Sequence, residues 1–449
     1  MCFWEDYKEP ETSLIIYQGS LMELKVSEVL KERYFYLNKS SILRSSSASS
    51  KITKFSSLKW KTTEPFIEES TTGIKYGFRL RQGIVSRYFY TATSDQLDLW
   101  LSHLSKIGIM TDIKHEYEFK KLIGSGSFSH VYLAKDLEDS KNYAIKCIPK
   151  ILLQSASSLN GLCNEIEIMR TLDHPGIVKL HKVFEGKNHV YLVLDYMEGG
   201  SMLDRLLKRG PLHEESAAKF TAKFLGILDY LKSMNVVHRD IKLENILLES
   251  ELTDIDFKLA DFGLACFANK ELTKKCGSPG YVAPEILRKL PYGPKVDVFS
   301  FGIILYMILS GQAPFGGKTP KETLLKNIDC LIQFHDAYWR NISKNAIEMV
   351  LQLTRSHPSQ RPSPREALTH KWLRFNTLKS STISLVSSKS REKITFKDFP
   401  NIENFRQRRF SAVSIHSREP GVETHKNHKF PDISPVARTT KINWKLEVS

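Results

Sequence analysis

The segment His238-Arg-Asp-Ile-Lys-Leu-Glu-Asn245 decides how the rest of this chain is interpreted. Its polar residues stand between two short apolar runs, a pattern typical of a loop held between buried elements. The Asp240 carboxylate is suited to accept a proton from a hydroxyl group, the Lys242 ammonium to neutralise a phosphate, and the Asn245 amide oxygen to bind a metal ion. Each residue alone also has an ordinary structural explanation, so the hypothesis of a catalytic loop depends on its surroundings.

Two further polar motifs follow this segment along the chain. Sixteen residues after Asn245 comes Asp261-Phe-Gly263, which presents a carboxylate on a turn. The stretch Cys276-Gly-Ser-Pro-Gly-Tyr-Val-Ala-Pro-Glu285 adds a turn-rich loop and another carboxylate. Because Mg²⁺ prefers oxygen ligands of this kind, the first motif indicates a magnesium site.

A glycine-rich segment, Gly124-Ser-Gly-Ser-Phe-Ser-His-Val131, lies between two predicted strands, where glycines let a backbone direct its N–H groups at phosphates. Such a hairpin is also a common structural turn, and the third glycine of the usual pattern is Ser129 here. Lys146 follows 15 residues after Val131, and Glu165, 19 residues further on, is a natural partner for a lysine that is costly to bury alone. Without the other motifs, an exposed lysine on an edge strand would be the preferred interpretation.

In this order and spacing the motifs resemble the eukaryotic protein kinase signature, from about Glu116 to Leu373. The resemblance implies an α+β fold in two lobes, a β-rich small lobe and a helical large lobe. It also implies an enzyme that transfers the γ-phosphate of Mg-ATP to protein hydroxyl groups, with ATP and Mg²⁺ as cofactors and protein substrates as partners. A catalytically inactive scaffold with the same fold is the alternative, and the occupied catalytic and metal positions argue against it.

The resemblance assigns a role to each residue of these motifs. Asp297 is implied to brace the catalytic loop, and Glu285 with Arg361 to form an ion pair of the large lobe. The residues implied to carry the chemistry are the catalytic pair Asp240 and Lys242, the Mg²⁺ ligands Asn245 and Asp261, and the substrate contacts Glu244 and Ser278. The residues implied to contact ATP are Gly124, Ser125, Gly126, Ser127, Val131, Ala144, Lys146, Glu165, Leu194, Asp195, Met197 and Leu247.

Within that family, the residues at Phe128-Ser129, His238–Asn245 and Arg361-Pro-Ser363 are most similar to the calcium/calmodulin-dependent kinase group. Lys242 and Gly277-Ser278-Pro279 resemble serine/threonine kinases rather than tyrosine kinases. Membership of the group does not establish calmodulin binding, and the chain carries no EF-hand calcium loop. Calmodulin therefore stays an open candidate among the partners.

Two positions depart from the pattern of that group. Relatives that prefer basic substrates often carry an acidic residue where this chain has Ser201, whereas Glu244 is retained, so a weakened preference for basic substrates is expected. The usual position of the activating phosphothreonine is Lys274, although Arg239, which would bind that phosphate, is present. Either Thr273 is phosphorylated instead, one place away, or the loop is regulated in another way.

Residues 13–107 are predicted to form a separate α+β domain. Apolar and polar residues alternate in short stretches, as in strands, over residues 20–25, 33–37, 76–81 and 87–91. A helix over residues 95–104 follows Ser94 as its predicted N-cap, with one apolar face formed by Leu97, Trp100, Leu101 and Leu104. The pattern resembles a pleckstrin-homology domain, a small β-barrel or sandwich capped by one C-terminal helix.

Three basic residues of this domain, Lys25, Lys31 and Arg33, follow the spacing Lys-x5-Lys-x-Arg-x-Phe across a predicted hairpin. Strand alternation puts Lys31, Arg33 and Phe35 on one face, so the two basic side chains can converge on a phosphoinositide head group while Phe35 packs in the core. The alternative is that these side chains are merely solvated and the domain binds protein. If the domain does bind lipid, the chain could also act as a phosphoinositide-binding adaptor whose kinase is incidental.

The remaining segments are a linker over residues 108–115, a kinase domain over 116–373 and a basic tail over 374–449. The tail has 15 Lys and Arg against 7 Asp and Glu, or +8 of the chain's total of +15, and its composition predicts disorder. Its segment Arg406-Gln-Arg-Arg-Phe-Ser411 has the form of a basophilic kinase target, with Ser411 as the acceptor, so an autophosphorylation or pseudosubstrate role stands beside the simpler interpretation of a solvated basic patch.

Bulk composition is that of an ordinary globular protein, with 41% hydrophobic and 26% charged residues. We find no secretory signal and no apolar run long enough to cross a bilayer, and the six cysteines show no metal-ligand spacing. These features predict a cytoplasmic protein with reversible recruitment to membranes through the N-terminal domain. No nucleic-acid partner is expected.

Overall fold

The structure is a computed structural model that describes residues 3–6, 14–24, 29–71, 73–126 and 128–374. The predictions for Lys25, Ser127 and Ser411 lie outside the described residues. The described chain forms two compact units, the first from residues 3–160 and 180–196 and the second from residues 161–179 and 197–374.

Strands dominate the first unit and helices the second. The first unit contains helix α1 (Ser94–Leu104) and strands β1 (Glu5–Asp6), β2 (Tyr17–Leu24), β3 (Leu30–Leu37), β4 (Ser41–Ser45), β5 (Lys54–Ser57), β6 (Thr62–Ser70), β7 (Gly73–Gln82), β8 (Val85–Thr91), β9 (Ile109–Met110), β10 (Tyr117–Ser125), β11 (His130–Asp136), β12 (Asn142–Pro149), β13 (Leu180–Glu185) and β14 (His189–Asp195). The second contains most of α2 (Ala156–Thr171), then α3 (Met202–Arg209), α4 (Glu214–Ser233), β15 (Val236–Val237), β16 (Ile246–Leu248), β17 (Phe257–Leu259), β18 (Cys266–Phe267), α5 (Pro284–Leu287), α6 (Lys295–Ser310), α7 (Pro320–Asp329), α8 (Asp336–Trp339), α9 (Lys344–Leu353) and α10 (Pro364–Ala367).

The N-terminal part of the first unit has the predicted alternation of buried and exposed side chains. Phe35 on β3, Phe78 on β7 and Phe89 on β8 are fully buried, and the apolar face of α1 packs against them through Leu97, Trp100 and Leu104. The prediction of Ser94 as the N-cap of this helix was wrong. Thr93 is the N-cap, because its side chain accepts a hydrogen bond from the backbone N–H of Gln96.

All fourteen strands of the first unit belong to one hydrogen-bonded sheet, in the order β1-β5-β4-β3-β2-β8-β7-β6-β9-β13-β14-β12-β11-β10. Strand β9 lies inside the predicted linker and pairs in parallel with β6 on one side and β13 on the other. All other strand pairs of this sheet are antiparallel. The segment between the two predicted domains is therefore part of the sheet and not a free connection.

A buried ion pair reinforces the sheet beside β9. Lys150 Nζ lies 2.7 Å from Glu185 Oε1, and both side chains are 7% exposed. The second carboxylate oxygen of Glu185 accepts a hydrogen bond from the Thr62 hydroxyl at 3.2 Å. Glu185 thus links strand β6 to the β-rich part that begins at β10.

The core of the second unit surrounds α6, whose residues from Val296 to Ser310 are all buried. Parallel ring stacking joins α6 to α4, because the ring centroids of Phe301 and Phe224 are 4.4 Å apart and the two rings are inclined by only 5°. Across the described residues no helix is both long and apolar enough to cross a membrane.

We predict that Glu185→Gln lowers the free energy of unfolding by about 3 kcal/mol, because it leaves the Lys150 ammonium buried without its counter-charge. Chemical denaturation followed by tryptophan fluorescence measures this loss. Glu118→Gln is the matched control, since it breaks an ion pair with Lys120 whose side chains are 53% and 41% exposed, and it should cost less than about 0.5 kcal/mol. Equal losses in the two variants would contradict a specific role for Glu185.

Candidate active site

The catalytic loop predicted over residues 238–245 is held by one buried carboxylate. Asp297, at the start of α6, accepts hydrogen bonds from the backbone N–H groups of His238 at 2.7 Å and Arg239 at 2.9 Å. Burial raises the pKa of the Asp297 carboxyl, and the same two N–H groups act in the opposite direction. Arg239 adopts a left-handed backbone conformation, with φ at 66°, which is unfavourable for a residue with a Cβ. The bracing role implied for Asp297 thus has a direct physical basis.

Asp240 lies at the centre of a compact polar cluster in this loop. Its Oδ2 is 2.7 Å from the Lys242 ammonium, and its Oδ1 accepts a hydrogen bond from the Ser278 hydroxyl at 2.6 Å. Lys242 also donates to Ser278 Oγ at 3.1 Å, and Asn245 Nδ2 donates to the Asp240 backbone carbonyl at 2.9 Å. The structure therefore brings together four residues that the sequence predicted to carry chemistry or contact substrate.

The charge state of Lys242 is controlled by this cluster. Burial acts to lower the pKa of its ammonium, but the carboxylate of Asp240 and, more weakly, those of Glu244 and Asp261 outweigh burial and raise the pKa above its ordinary value. Lys242 therefore stays positively charged at neutral pH, beside the carboxylate of Asp240.

The two predicted metal ligands are brought close by a short hairpin. Strands β16 and β17 pair antiparallel, and the backbone N–H of Ala260 donates to the Asn245 carbonyl at 2.8 Å, so Asp261 follows directly beside Asn245. The Asn245 side-chain nitrogen is engaged by Asp240, which leaves its amide oxygen for a metal ion. In the described part of the chain no group of three or more His, Cys, Asp or Glu side chains forms a metal site. One amide and one carboxylate oxygen fit Mg²⁺, which takes few protein ligands and completes its shell with water and phosphate oxygens.

The predicted phosphate-binding residues of the first unit line up across three strands. Gly124 is paired with Val131 between β10 and β11, and Val131 with Lys146 between β11 and β12. A Cβ at Gly124 would meet Val131 at an ordinary 3.5 Å, and a Cβ at Gly126 would meet only the Ser129 carbonyl oxygen at 3.8 Å. Because neither the packing nor a positive φ requires these glycines, close approach of a ligand is a better explanation for them, and they fit a nucleotide phosphate.

The remaining predicted ATP residues are divided between the two units. In the first unit, Ser125 is exposed at the end of β10, Ala144 and Leu194 are register partners on β12 and β14, and the Asp195 carboxylate is 2.7 Å from His181 Nε2. In the second unit, the predicted residues are the buried Glu165 and Met197 and the half-buried Leu247.

Two positions that depart from the family pattern have clear structural surroundings. Ser201 is the N-cap of α3, since its hydroxyl accepts from the backbone N–H of Asp204 at 3.1 Å. Thr273 and Lys274 are both exposed.

The ion pair implied for Glu285 and Arg361 is present, fully buried and bidentate at 2.6 and 2.7 Å.

Sequence reasoning gave no role to two tyrosines of the second unit. Tyr281 donates to Glu244 Oε2 at 3.4 Å, and Tyr292 donates to the Lys274 carbonyl at 2.5 Å. Tyr281 belongs to a quoted motif, so its polar partner could have been sought there. Tyr292 lies outside every motif, and no sequence signal marks a contact with a backbone carbonyl 18 residues away.

The predicted lipid-binding residues lie on β3, where Lys31 is exposed, Arg33 is half-buried and Phe35 is fully buried. The strand register places Lys31 opposite Glu23 on β2. Glu23 is 3% exposed and accepts hydrogen bonds from Arg44 at 2.7 Å and from the Trp4 indole at 2.8 Å. The same face therefore carries an acidic group that sequence reasoning did not include.

Comparison with known proteins gives the chain its family. The model of the protein kinase domain family matches residues 117–373, more than half of the chain. Calcium/calmodulin-dependent protein kinase type 1B of Homo sapiens is 37% identical over 267 residues, which cover 59% of this chain and 77% of that protein. Myosin light chain kinase A of Dictyostelium discoideum is 36% identical over 282 residues, covering 62% and 95%, and calcium/calmodulin-dependent protein kinase type 1 of Caenorhabditis elegans is 36% identical over 267 residues, covering 59% and 76%.

The matched residues contain the whole polar cluster around Asp240 and both predicted metal ligands. The chain belongs to the protein kinase family and is a serine/threonine protein kinase similar to the calcium/calmodulin-dependent kinase group.

Proposed function

We propose that the chain transfers the γ-phosphate of Mg-ATP to serine and threonine hydroxyls of proteins, with Asp240 as the catalytic base. The observation that carries this proposal is the Asp240 carboxylate held between Lys242 and Ser278 at 2.7 and 2.6 Å. When bound, Mg-ATP supplies the phosphoryl group and the charge of the metal ion.

The residues of the chain orient the acceptor and control one proton. Lys242 and Ser278 fix the two carboxylate oxygens of Asp240, so that this group can orient a substrate hydroxyl and receive its proton at Oδ1 or Oδ2. Lys242, which stays charged, stabilises negative charge that develops nearby. Asn245 and Asp261 would hold the metal ion through their side-chain oxygens.

We predict that Asp240→Asn and Asp261→Ala each lower kcat about a thousandfold, because one removes the proton acceptor and the other a metal ligand. The measurement is transfer of labelled phosphate from Mg-ATP to a serine/threonine peptide library. Asp336→Asn, which alters an exposed carboxylate of the second unit, is the control and should retain full activity. No transfer by any form, including chains without the tail or the N-terminal domain, would point to an inactive scaffold.

We further propose a preference for substrates with basic residues and regulation by the basic tail. Glu244 supports the first point, because it is the acidic residue retained near Lys242 and Asp240 while Ser201 caps a helix. The segment from Arg406 to Ser411 has the form of such a substrate. Calmodulin is a candidate partner of the tail, since two relatives are named for their dependence on it.

The pH dependence of substrate preference tests the role of Glu244. Its side chain reaches solvent, but crowding by protein on its other sides raises the pKa of its carboxyl, so its charge is lost at a higher pH than that of an ordinary glutamate. We predict that a peptide of the 406–411 sequence is favoured over its Arg-to-Gln version about tenfold at pH 8. This ratio should decline as the pH falls, beginning at a higher pH than the titration of an ordinary glutamate would give.

Glu244→Gln should show a low ratio at every pH, whereas Glu251→Gln, at an exposed position, should behave as the unchanged chain does. The assays are run with and without Ca²⁺-calmodulin. A ratio that stays high in Glu244→Gln would mean that another group binds the basic residues of the peptide.

We also propose that the N-terminal domain is of the pleckstrin-homology type and recruits the cytoplasmic chain reversibly to membranes through phosphoinositides. Lys31 and Arg33 share one face of β3, which supports convergence on a phosphorylated head group. Glu23 opposes lipid binding, because its carboxylate lies opposite Lys31 and competes with a head group for the Lys31 ammonium. The ion pair of Glu23 with Arg44 weakens this competition.

Sedimentation with vesicles tests recruitment. We predict that the full chain binds vesicles of phosphatidylcholine with phosphoinositide at least about tenfold more tightly than vesicles with phosphatidylserine of equal charge, and that Lys31→Ala with Arg33→Ala abolishes the difference. Lys39→Ala removes an exposed charge just past the other end of β3 and should leave it intact. Equal binding to both anionic vesicles would indicate attraction by net charge alone, and no binding would favour a protein partner.

A further inference from the structure

The guanidinium of Arg239 has partners within the protein, although no phosphorylatable residue stands at position 274. Its Nε donates to the Leu264 carbonyl at 2.7 Å, and its Nη1 donates to the Tyr292 hydroxyl at 3.3 Å. Both partners are neutral. The group that would bind an activating phosphate in the family pattern is thus engaged without any anion.

Tyr292 connects Arg239 to the loop around position 274, which belongs to the segment from Leu264 to Glu285, here called the activation segment. Its hydroxyl donates to the Lys274 carbonyl at 2.5 Å, and its backbone exchanges two hydrogen bonds with Leu272, at 2.9 and 3.0 Å. A hydroxyl has one proton to donate and lone pairs that accept, so the three groups form a directed chain from Arg239 through Tyr292 to Lys274.

The surroundings of Tyr292 keep this chain of hydrogen bonds intact. The residue is 5% exposed, and its Oη lies 3.9 Å from the Sγ of buried Cys276. Burial raises the pKa of the Tyr292 hydroxyl to about 12, so the hydroxyl keeps its proton and remains a donor at physiological pH.

Both ends of this series of hydrogen bonds lie close in sequence to residues of the Asp240 cluster. Arg239 directly precedes Asp240 in the loop braced by Asp297, and four residues after Lys274 the activation segment reaches Ser278, whose hydroxyl contacts Asp240 and Lys242. A shift of residues 272–276 would therefore move the Ser278 hydroxyl away from the carboxylate that it orients.

We propose that Tyr292 is a positioning residue that holds the activation segment in its substrate-competent arrangement without a phosphate. Its neutral hydroxyl occupies the place in the network where an activating phosphate would otherwise meet Arg239. The kinase is accordingly competent when neither Thr273 nor any neighbour is phosphorylated. The inference rests on the proposed role of Asp240.

The first test compares two tyrosine variants of the full chain after phosphatase treatment, with mass spectrometry to verify that the activation segment carries no phosphate. Tyr292→Phe should lower kcat for a peptide about tenfold and raise the KM for the peptide, while the KM for ATP changes less than about twofold. Tyr306→Phe is the matched control, because Tyr306 is also buried in the second unit and donates to a backbone carbonyl, that of Gln333 at 2.7 Å. It should lower stability to a similar extent and leave kcat unchanged.

The second test does not depend on the folding of a tyrosine variant. The dephosphorylated full chain should retain its activity, and Lys274→Glu, which offers Arg239 a carboxylate, should raise kcat/KM by no more than about twofold. The inference is overturned if dephosphorylation abolishes transfer, if Lys274→Glu raises kcat/KM tenfold or more, or if Tyr292→Phe leaves kcat unchanged. Transfer that persists in Asp240→Asn would instead overturn the proposed function, which separates the two failures.

Discussion

The carboxylate of Asp297 accepts hydrogen bonds from two consecutive backbone N–H groups, and the arrangement of the catalytic loop depends on that contact. A carboxylate in a fully buried position is costly, and charge-assisted hydrogen bonds to backbone donors offset the cost. These hydrogen bonds also stabilise Arg239 at a positive φ, which is unfavourable for this residue. This turn of the backbone points the side chain of Asp240 toward Lys242 and Ser278, while the preceding His238 bonds the Ala260 carbonyl at 3.1 Å. One buried charge thus fixes the loop backbone from which the side chains of His238 and Asp240 reach their partners.

Much of the second unit could be predicted from sequence because its chemistry is encoded in short motifs. Asp240, Lys242 and Asn245 lie within six residues of one another, so the local backbone brings them together wherever the loop is placed. Ser278 lies farther along the chain, yet the turn-rich loop that carries it is itself a recognisable motif. The same locality explains why the apolar face of α1 was predicted correctly, whereas its N-cap was misplaced by one residue, from Thr93 to Ser94, since both side chains can cap a helix.

Contacts that depend on distant segments could not be predicted in this way. Strand β9 has two residues, too few for any periodicity to appear, and its parallel pairing with β6 and β13 is a property of the folded sheet. The ion pair of Lys150 with Glu185 joins residues 35 positions apart, and the bond from Thr62 to Glu185 spans 123 positions. Glu23 was missed for a related reason. Its sequence neighbours suggest a solvated strand residue. The cost of burying its carboxylate is offset only by hydrogen bonds from Arg44 and Trp4, which are distant in sequence.

A tyrosine hydroxyl and a phosphate differ in what they allow a kinase to do. A phosphate brings close to two negative charges that a phosphatase removes, so a network built on it has two states. The network of Arg239, Tyr292 and the Lys274 carbonyl contains no group that is added or removed, and its hydroxyl does not ionise near neutral pH. It can hold one arrangement of the activation segment, but it cannot switch that arrangement. If the chain is regulated, the control must therefore act through other parts of the molecule, and the continuous sheet that runs from the N-terminal strands through β9 to β12, the strand of Lys146, offers one physical route.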